Sequence, residues 1–195
     1  MCGEDKMIHV IEQSRQSNIR WCGDTMIELG NQYDSVLDVG CGVGRVIRSI
    51  EAKEKYGIDV CAKAIAKARK DHRGVKFSCY DLQLVIQGQK QLPKVECVLG
   101  LDIIEHFSKS DAAVLLQKCE EAASRCLMWF IPVGYHPQTK DDRGFGNDYH
   151  QTHRSIWHPE DMDQLGYEVW YYPNWHAKHK PPKEKGAMWC RKLLV

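Results

Sequence analysis

The chain has 195 residues, 43% of them hydrophobic and 27% charged, with 27 basic and 26 acidic side chains for a net charge of +1. That length fits one domain with a substantial core and disfavours two. The near-neutral balance disfavours a large field built for nucleic acid or a membrane surface.

Nine cysteines, an odd number with no Cys-x-x-Cys pair, disfavour a disulfide framework and a cysteine-rich zinc site. The first residues carry no apolar signal core. The longest apolar run, Cys126 to Val133, is far shorter than the roughly 20 residues that cross a bilayer. A reduced, cytoplasmic protein is expected.

In chain order, two short helices are expected over residues 5–17 and 20–30. Asp34 to Val39 reads as a strand that runs into a glycine turn at Gly40, with a helix over Val43 to Ala52. Lys55 to Val60 is a second strand, Ala62 to Lys70 a helix built from good helix formers, Val75 to Tyr80 a third strand and Val95 to Leu101 a fourth. Asp111 to Ala123 has helical periodicity and Leu127 to Ile131 is a fifth, buried strand. Residues 133–158 hold Gly, Pro, Asp, Asn and His without a periodic run, and a loop of that length is usually functional. His158-Pro159-Glu160-Asp161 opens another helix, closed by Gly166. Tyr167 to Tyr172 and Ala187 to Val195 make a terminal hairpin, expected to run against the other strands, with a basic loop between them. The expected fold is an α/β doubly wound, mostly parallel seven-stranded sheet with an antiparallel C-terminal hairpin and helices on both faces. Within a single domain, residues 1–33 read as a helical lid, 34–132 as a ligand-binding half, and 133–195 as the half that faces a second substrate.

The segment Val36-Leu37-Asp38-Val39-Gly40-Cys41-Gly42-Val43-Gly44 carries the strongest signal. A strand that ends in alternating glycines lets a ligand approach the backbone closely. Such loops hold a dinucleotide or S-adenosylmethionine (SAM). The dinucleotide fingerprint needs Gly-x-Gly-x-x-Gly, and Arg45 stands at its third glycine. Asp38 would repel a pyrophosphate and attract an ammonium group.

Val36 to Arg45 resembles the first motif of class I SAM-dependent methyltransferases, and Tyr56-Gly57-Ile58-Asp59 is similar to their second. Asp81 resembles the acid that meets the adenine amine, with Leu82 beside it. Leu101-Asp102-Ile103-Ile104-Glu105-His106-Phe107 resembles the fourth motif, where the two substrates meet. The resemblance covers about residues 34–131 and implies SAM as cofactor. It implies cofactor contacts from Asp38, Gly40, Cys41, Gly42, Gly44, Asp59, Val60, Asp81, Leu82, Leu101 and Asp102, with Asp59 on the ribose. Read alone, Asp59 suits a helix cap equally well.

The acceptor side is read from absences and from one cluster. No Asn- or Asp-Pro-Pro-aromatic tetrad follows the fourth strand, and no proline-preceded cysteine stands there, which disfavours nucleobases. The Glu-His-Phe sequence resembles small-molecule methyltransferases. His106 is a candidate base, since histidine titrates near neutrality. Asp102, Glu105 and His106 also have the residue types of a divalent metal site, but solvation of Glu105 is the plainer reading and no metal is assigned. Six of the nine histidines follow residue 130. His153-Arg154-Ser155-Ile156-Trp157 resembles a His-x-Ser-x-Trp pattern of methyltransferases in glycan and secondary-metabolite pathways. His150 and His153 are further candidate bases. Arg154 would meet an acceptor anion, Trp157 would supply apolar wall, and Tyr135 is a further candidate for binding the acceptor. Alternatively Trp157 anchors the loop in the core. The expected activity is methylation of a small-molecule acceptor, at oxygen before nitrogen, with nucleic acid disfavoured as a partner. The rivals are methylation of RNA or protein, recruited by Lys178, Lys180, Lys183 and Lys185, and a non-catalytic SAM-binding protein.

Overall fold

The computed structural model describes residues 8–10, 22–141, 143–173, 175 and 186–194. Among the described residues eight strands form one sheet: β1 (Ile8–Val10), β2 (Ser35–Val39), β3 (Glu54–Asp59), β4 (Lys76–Cys79), β5 (Val95–Leu101), β6 (Ala123–Val133), β7 (Glu168–Tyr172) and β8 (Gly186–Leu193). Their spatial order is β1-β7-β8-β6-β5-β2-β3-β4. The seven expected strands are all present, and β1 adds an eighth, paired in parallel with β7. Ile8–Val10 is therefore strand where helix was expected. The rest of the expected 5–17 helix, like the basic loop with Lys178, Lys180, Lys183 and Lys185, lies outside the described residues.

Of the terminal pair only β8 is reversed. It runs antiparallel to both β6 and β7, which leaves β7 aligned with the rest of the sheet. The antiparallel C-terminal hairpin is present as expected, formed by β7 and β8. β8 wedges between β6 and β7, so β7 must share the direction of β6.

Helices α1 (Cys22–Gly30) and α2 (Ala62–Asp71) contribute Met26, Ile65 and Ala68 to one core layer. α3 (Gln83–Ile86), α4 (Lys109–Ala122) and α6 (Pro159–Gln164) contribute Val85, Leu115, Leu116 and Met162 to the other. β2 shows the alternation that splits the layers: Val36 faces the first and Leu37 the second. α4 is capped by Ser108, whose Oγ accepts the Asp111 N–H at 3.1 Å. α6 begins with Pro159, and Asp161 reaches back to the His158 N–H at 2.8 Å. α5 (Asp148–Gln151) is one turn within the long loop after β6.

The expected helix over Val43 to Ala52 is not there. The segment is a series of turns followed by a 3-10 turn, Ile47–Ser49. Gly44 adopts φ 76°, outside helical space. Val46, Ile47 and Ile50 are all buried in the same core layer, reached through turns.

The sheet is packed tightest beside β2. Gly100 of β5 sits opposite Trp129 of β6, and a Cβ at Gly100 would fall 2.4 Å from the Trp129 ring. Trp129 is fully buried and its Nε1–H donates to the Tyr167 hydroxyl at 3.2 Å, so it has no room to retreat. Gly100→Ala is expected to cost about 1–3 kcal/mol by overpacking. Urea denaturation checks it, and an unchanged midpoint would mean that Trp129 repacks freely.

Candidate active site

The carboxyl ends of β2, β3, β4 and β5 converge on one cleft of about 650 Å³, within the usual range for a small-molecule site. Gly40, Gly42 and Val43 line it from the loop after β2, Asp59 and Val60 from β3, and Asp81 and Leu82 from the turn after β4. Leu101, Asp102, Glu105 and His106 line it from β5 and the 3-10 turn that follows, Ile104–His106. The β6–α5 loop closes the far side with Arg143, His150, His153 and Arg154.

The glycine loop is held by the acid of the next strand. Asp59 accepts the Gly42 N–H at 2.8 Å and the Cys61 N–H at 2.7 Å. Asp59 thus ties the loop to the start of α2, and each carboxylate oxygen keeps a lone pair for a ligand. Gly40 and Gly42 take φ of 75° and 54°, conformations that side chains resist. A Cβ at Gly40 would strike Ile103 at 2.7 Å.

Three residues assigned to the cofactor stand behind the wall. Asp38 is 3% exposed, beneath the glycine loop. Cys41 is buried, its Sγ against the backbone of Gly57. Gly44 faces Phe77, where a Cβ would come within 2.7 Å of the ring, so it serves packing. Among the acceptor-side candidates, His106, His150, His153 and Arg154 line the cleft, whereas Tyr135 and Trp157 do not. Tyr135 is exposed, and Trp157 is buried in the core with its Nε1–H donating to Ser155 Oγ at 2.8 Å.

The His-x-Ser-x-Trp segment is a fastening as well as a wall. The Arg154 and Ser155 N–H groups both donate to the Glu105 carbonyl, at 2.8 and 3.1 Å. The Arg154 guanidinium donates to the carbonyls of His106 at 2.8 Å and Thr152 at 3.0 Å, and also to that of Tyr149. These bonds lock the β6–α5 loop onto the turn after β5 and bring His153 to His106, with ring centroids 4.9 Å apart.

Burial dominates the electrostatics. The Asp38 carboxyl is pushed up to about 8, first by burial and then by the charge of Asp59, against the pull of Arg143 and the Ile47 N–H. Asp102, held at φ 49°, is raised to about 6 by burial, with Arg143 opposing. Glu105 is 1% exposed and raised well above its ordinary range by burial and by Asp102. His106 is lowered to about 4 by burial and then by His153, so its imidazole is neutral at physiological pH.

Sequence reasoning did not reach Arg143. Its Nη1 lies 3.1 Å from where a Gly42 Cβ would stand, and its charge acts on Asp38, Asp102 and His106. Arg143 is set by a knot around Asp141, whose carboxylate accepts the N–H groups of Arg143, Phe145 and Asn147 at 2.7–3.1 Å. The signal was the alternation of Gly144 and Gly146, both at positive φ, after an acid.

Comparison with known proteins points to one kind of domain. A family model described as "Methyltransferase domain" matches residues 36–124. The match spans a little under half of the chain, from β2 to the start of β6. No curated protein matches the sequence significantly. Solved structures share the fold at low identity. Magnesium protoporphyrin IX methyltransferase from Synechocystis, crystallised with SAM, is 16% identical with a TM-score of 0.56, over 89% of this chain and 76% of that one. A SAM-dependent methyltransferase from Clostridium acetobutylicum is 13% identical with a TM-score of 0.62, over 92% and 94%. The plantazolicin methyltransferase BamL, in complex with a triazolic desmethyl analogue and SAH, is 15% identical with a TM-score of 0.57, over 89% and 85%. The methyltransferase fold thus extends past the matched segment to the acceptor-side loop and the last strands. Among the described residues no helix is long and apolar enough to cross a membrane.

The buried carboxyl of Asp38 sets a pH dependence. Below about pH 4 it is neutral in folded and unfolded chains alike. As pH rises towards 8 the unfolded chain releases the proton while the folded one keeps it, so stability is lost with rising pH. Asp38→Asn does not titrate. Its melting temperature relative to wild type is expected to climb between roughly pH 5 and pH 8. A constant gap across that range would show that Asp38 is ionised in the fold.

Proposed function

We propose that this domain binds SAM along β2–β4 and transfers its methyl group to a hydroxyl of a small-molecule acceptor held beneath the β6–α5 loop. The observation that carries the first half is the row of acids, Asp38, Asp59 and Asp81, at the carboxyl ends of adjacent parallel strands around a loop of positive-φ glycines. Asp38 is a buried carboxyl under that loop, and a ligand ammonium matches it in charge. Asp59 and Asp81 face the cleft with acceptor oxygens for a ribose diol and an amine. The neighbours crystallised with SAM or SAH support the same reading.

When bound, SAM supplies a methyl group on a sulfonium, which makes the carbon electrophilic. The protein's part is to align an acceptor and take its proton. The corner formed by Glu105, His106 and His153 is where a proton can be taken. With Nδ1 donating to the Thr152 carbonyl at 3.4 Å, His106 Nε2 keeps its lone pair. His150 stands across the cleft, 3.9 Å from Asp81. Arg154 spends its donors on backbone carbonyls, so Arg143 is the better candidate for an acceptor anion. The low overall charge and the size of the cleft favour a small acceptor. The plantazolicin methyltransferase, bound to a triazolic desmethyl analogue and SAH, offers a parallel.

Calorimetric titration with SAM, and separately with NAD, tests the cofactor. Binding of SAM alone is expected, and Asp59→Ala should weaken it at least tenfold, the scale of one hydrogen bond to a charged group, about 1.5–3 kcal/mol. An ammonium beside Asp38 favours its ionised form, so binding near neutrality should release a proton, and Asp38→Asn should abolish that release. Binding of NAD in place of SAM would overturn the reading.

A further inference from the structure

We propose that Glu105, His106 and His153 form a binding site for a divalent first-row transition ion. The three residues come from two segments, the turn after β5 and the loop after β6. Each offers one ligand atom, and these atoms lie within 4.8 Å of one another. Metal–ligand bonds of roughly 2.0–2.2 Å put neighbouring ligands about 3–4 Å apart, so a small side-chain rotation completes the set.

An independent observation points the same way. Both carboxylate oxygens of Glu105 are buried, and neither has a hydrogen-bond partner among the described residues. Buried polar groups in folded proteins nearly always have one, and a carboxylic acid in the same position would still lack an acceptor for its proton. A cation bound by that carboxylate supplies what the protein does not.

The surroundings fit a ligating role. Metal-bound histidines usually donate their second ring N–H to a carbonyl, and His106 Nδ1 lies 3.4 Å from the Thr152 carbonyl. Arg154 pins the carbonyls of His106 and Thr152 together, so the two ligand-bearing segments are joined before any ion arrives. Two imidazoles and one carboxylate suit zinc or iron(II) and leave coordination positions open. All three residues line the cleft, so those positions face an acceptor. A hydroxyl bound there loses its proton more readily. The imidazoles would then serve as ligands, and their action as free bases would pass to the ion. That role rests on the proposed methyl transfer, whereas the binding does not.

Metal-stripped protein titrated with Co²⁺, followed by visible absorption and then by displacement with Zn²⁺, tests the site. One equivalent is expected, with weak d–d bands and no near-ultraviolet thiolate charge transfer. Glu105→Gln and His153→Ala should each weaken binding at least tenfold, whereas His9→Ala, at the sheet edge, should not. Circular dichroism checks folding, and if Glu105→Gln fails to fold, the half-buried His153→Ala decides. Absence of the bands, a thiolate spectrum that places the ion on cysteines, or binding indifferent to the folded variants would overturn the proposal. The readout needs neither SAM nor acceptor, so its failure is distinct from failure of the SAM titration.

Discussion

From β2 the chain builds outward to β3 and β4 on one side, then returns to lay β5 and β6 on the other. The loops that leave β2 and β5 must therefore part, and the gap between them is the cleft. Every group of the site depends on this reversal. Asp38, the glycine loop and Asp59 belong to one side of it, and Asp102, Glu105 and His106 to the other. The parallel ladder between β2 and β5 keeps the two sides at a fixed distance.

The cleft is built at a cost to the unbound fold. Asp38, Asp102 and Glu105 are carboxyls placed where water does not compensate them, and each is shifted towards its neutral form by burial. A protein selected only for stability would replace them with apolar side chains. Arg143 offsets part of this at Asp38 and Asp102, from a loop that is itself held by the backbone bonds around Asp141. A cationic ligand near Asp38 and a metal ion at Glu105 would each relieve a separate part of the same strain.

The legible parts of the sequence were those where one residue type answers one physical demand. Alternating glycines at positive φ, acids at strand ends and the capped start of α6 are of this kind, and the strand positions followed from apolar runs. The missed parts depend on contacts between distant segments. A helix over Val43 to Ala52 satisfies local propensity, but Gly44 takes φ 76° and packs on Phe77 of β4, which breaks the helix before Val46, Ile47 and Ile50 join the core. β1 has three residues and no periodicity to read; its pairing with β7 defines it. Arg143 gains meaning only when its loop folds back over Gly42. Glu105 reads as a solvated acid because carboxylates are seldom buried, yet the β6–α5 loop is bonded to its carbonyl and the residue is 1% exposed.

The His-x-Ser-x-Trp segment shows why residues of one motif carry different duties. Trp157 buries in the core and bonds to Ser155, and Ser155 in turn reaches the Ile104 carbonyl at 3.4 Å. Arg154 spans the carbonyls of His106 and Thr152. Three of the segment's side chains thus fasten it to the turn after β5, and their combined effect is to hold a single residue, His153, against His106. A histidine on a free loop would lose much of any catalytic or ligating value to the entropy of being positioned. Here that entropy is lost during folding, through bonds within the protein itself. The acceptor-side loop can therefore vary in its other residues without disturbing the pair.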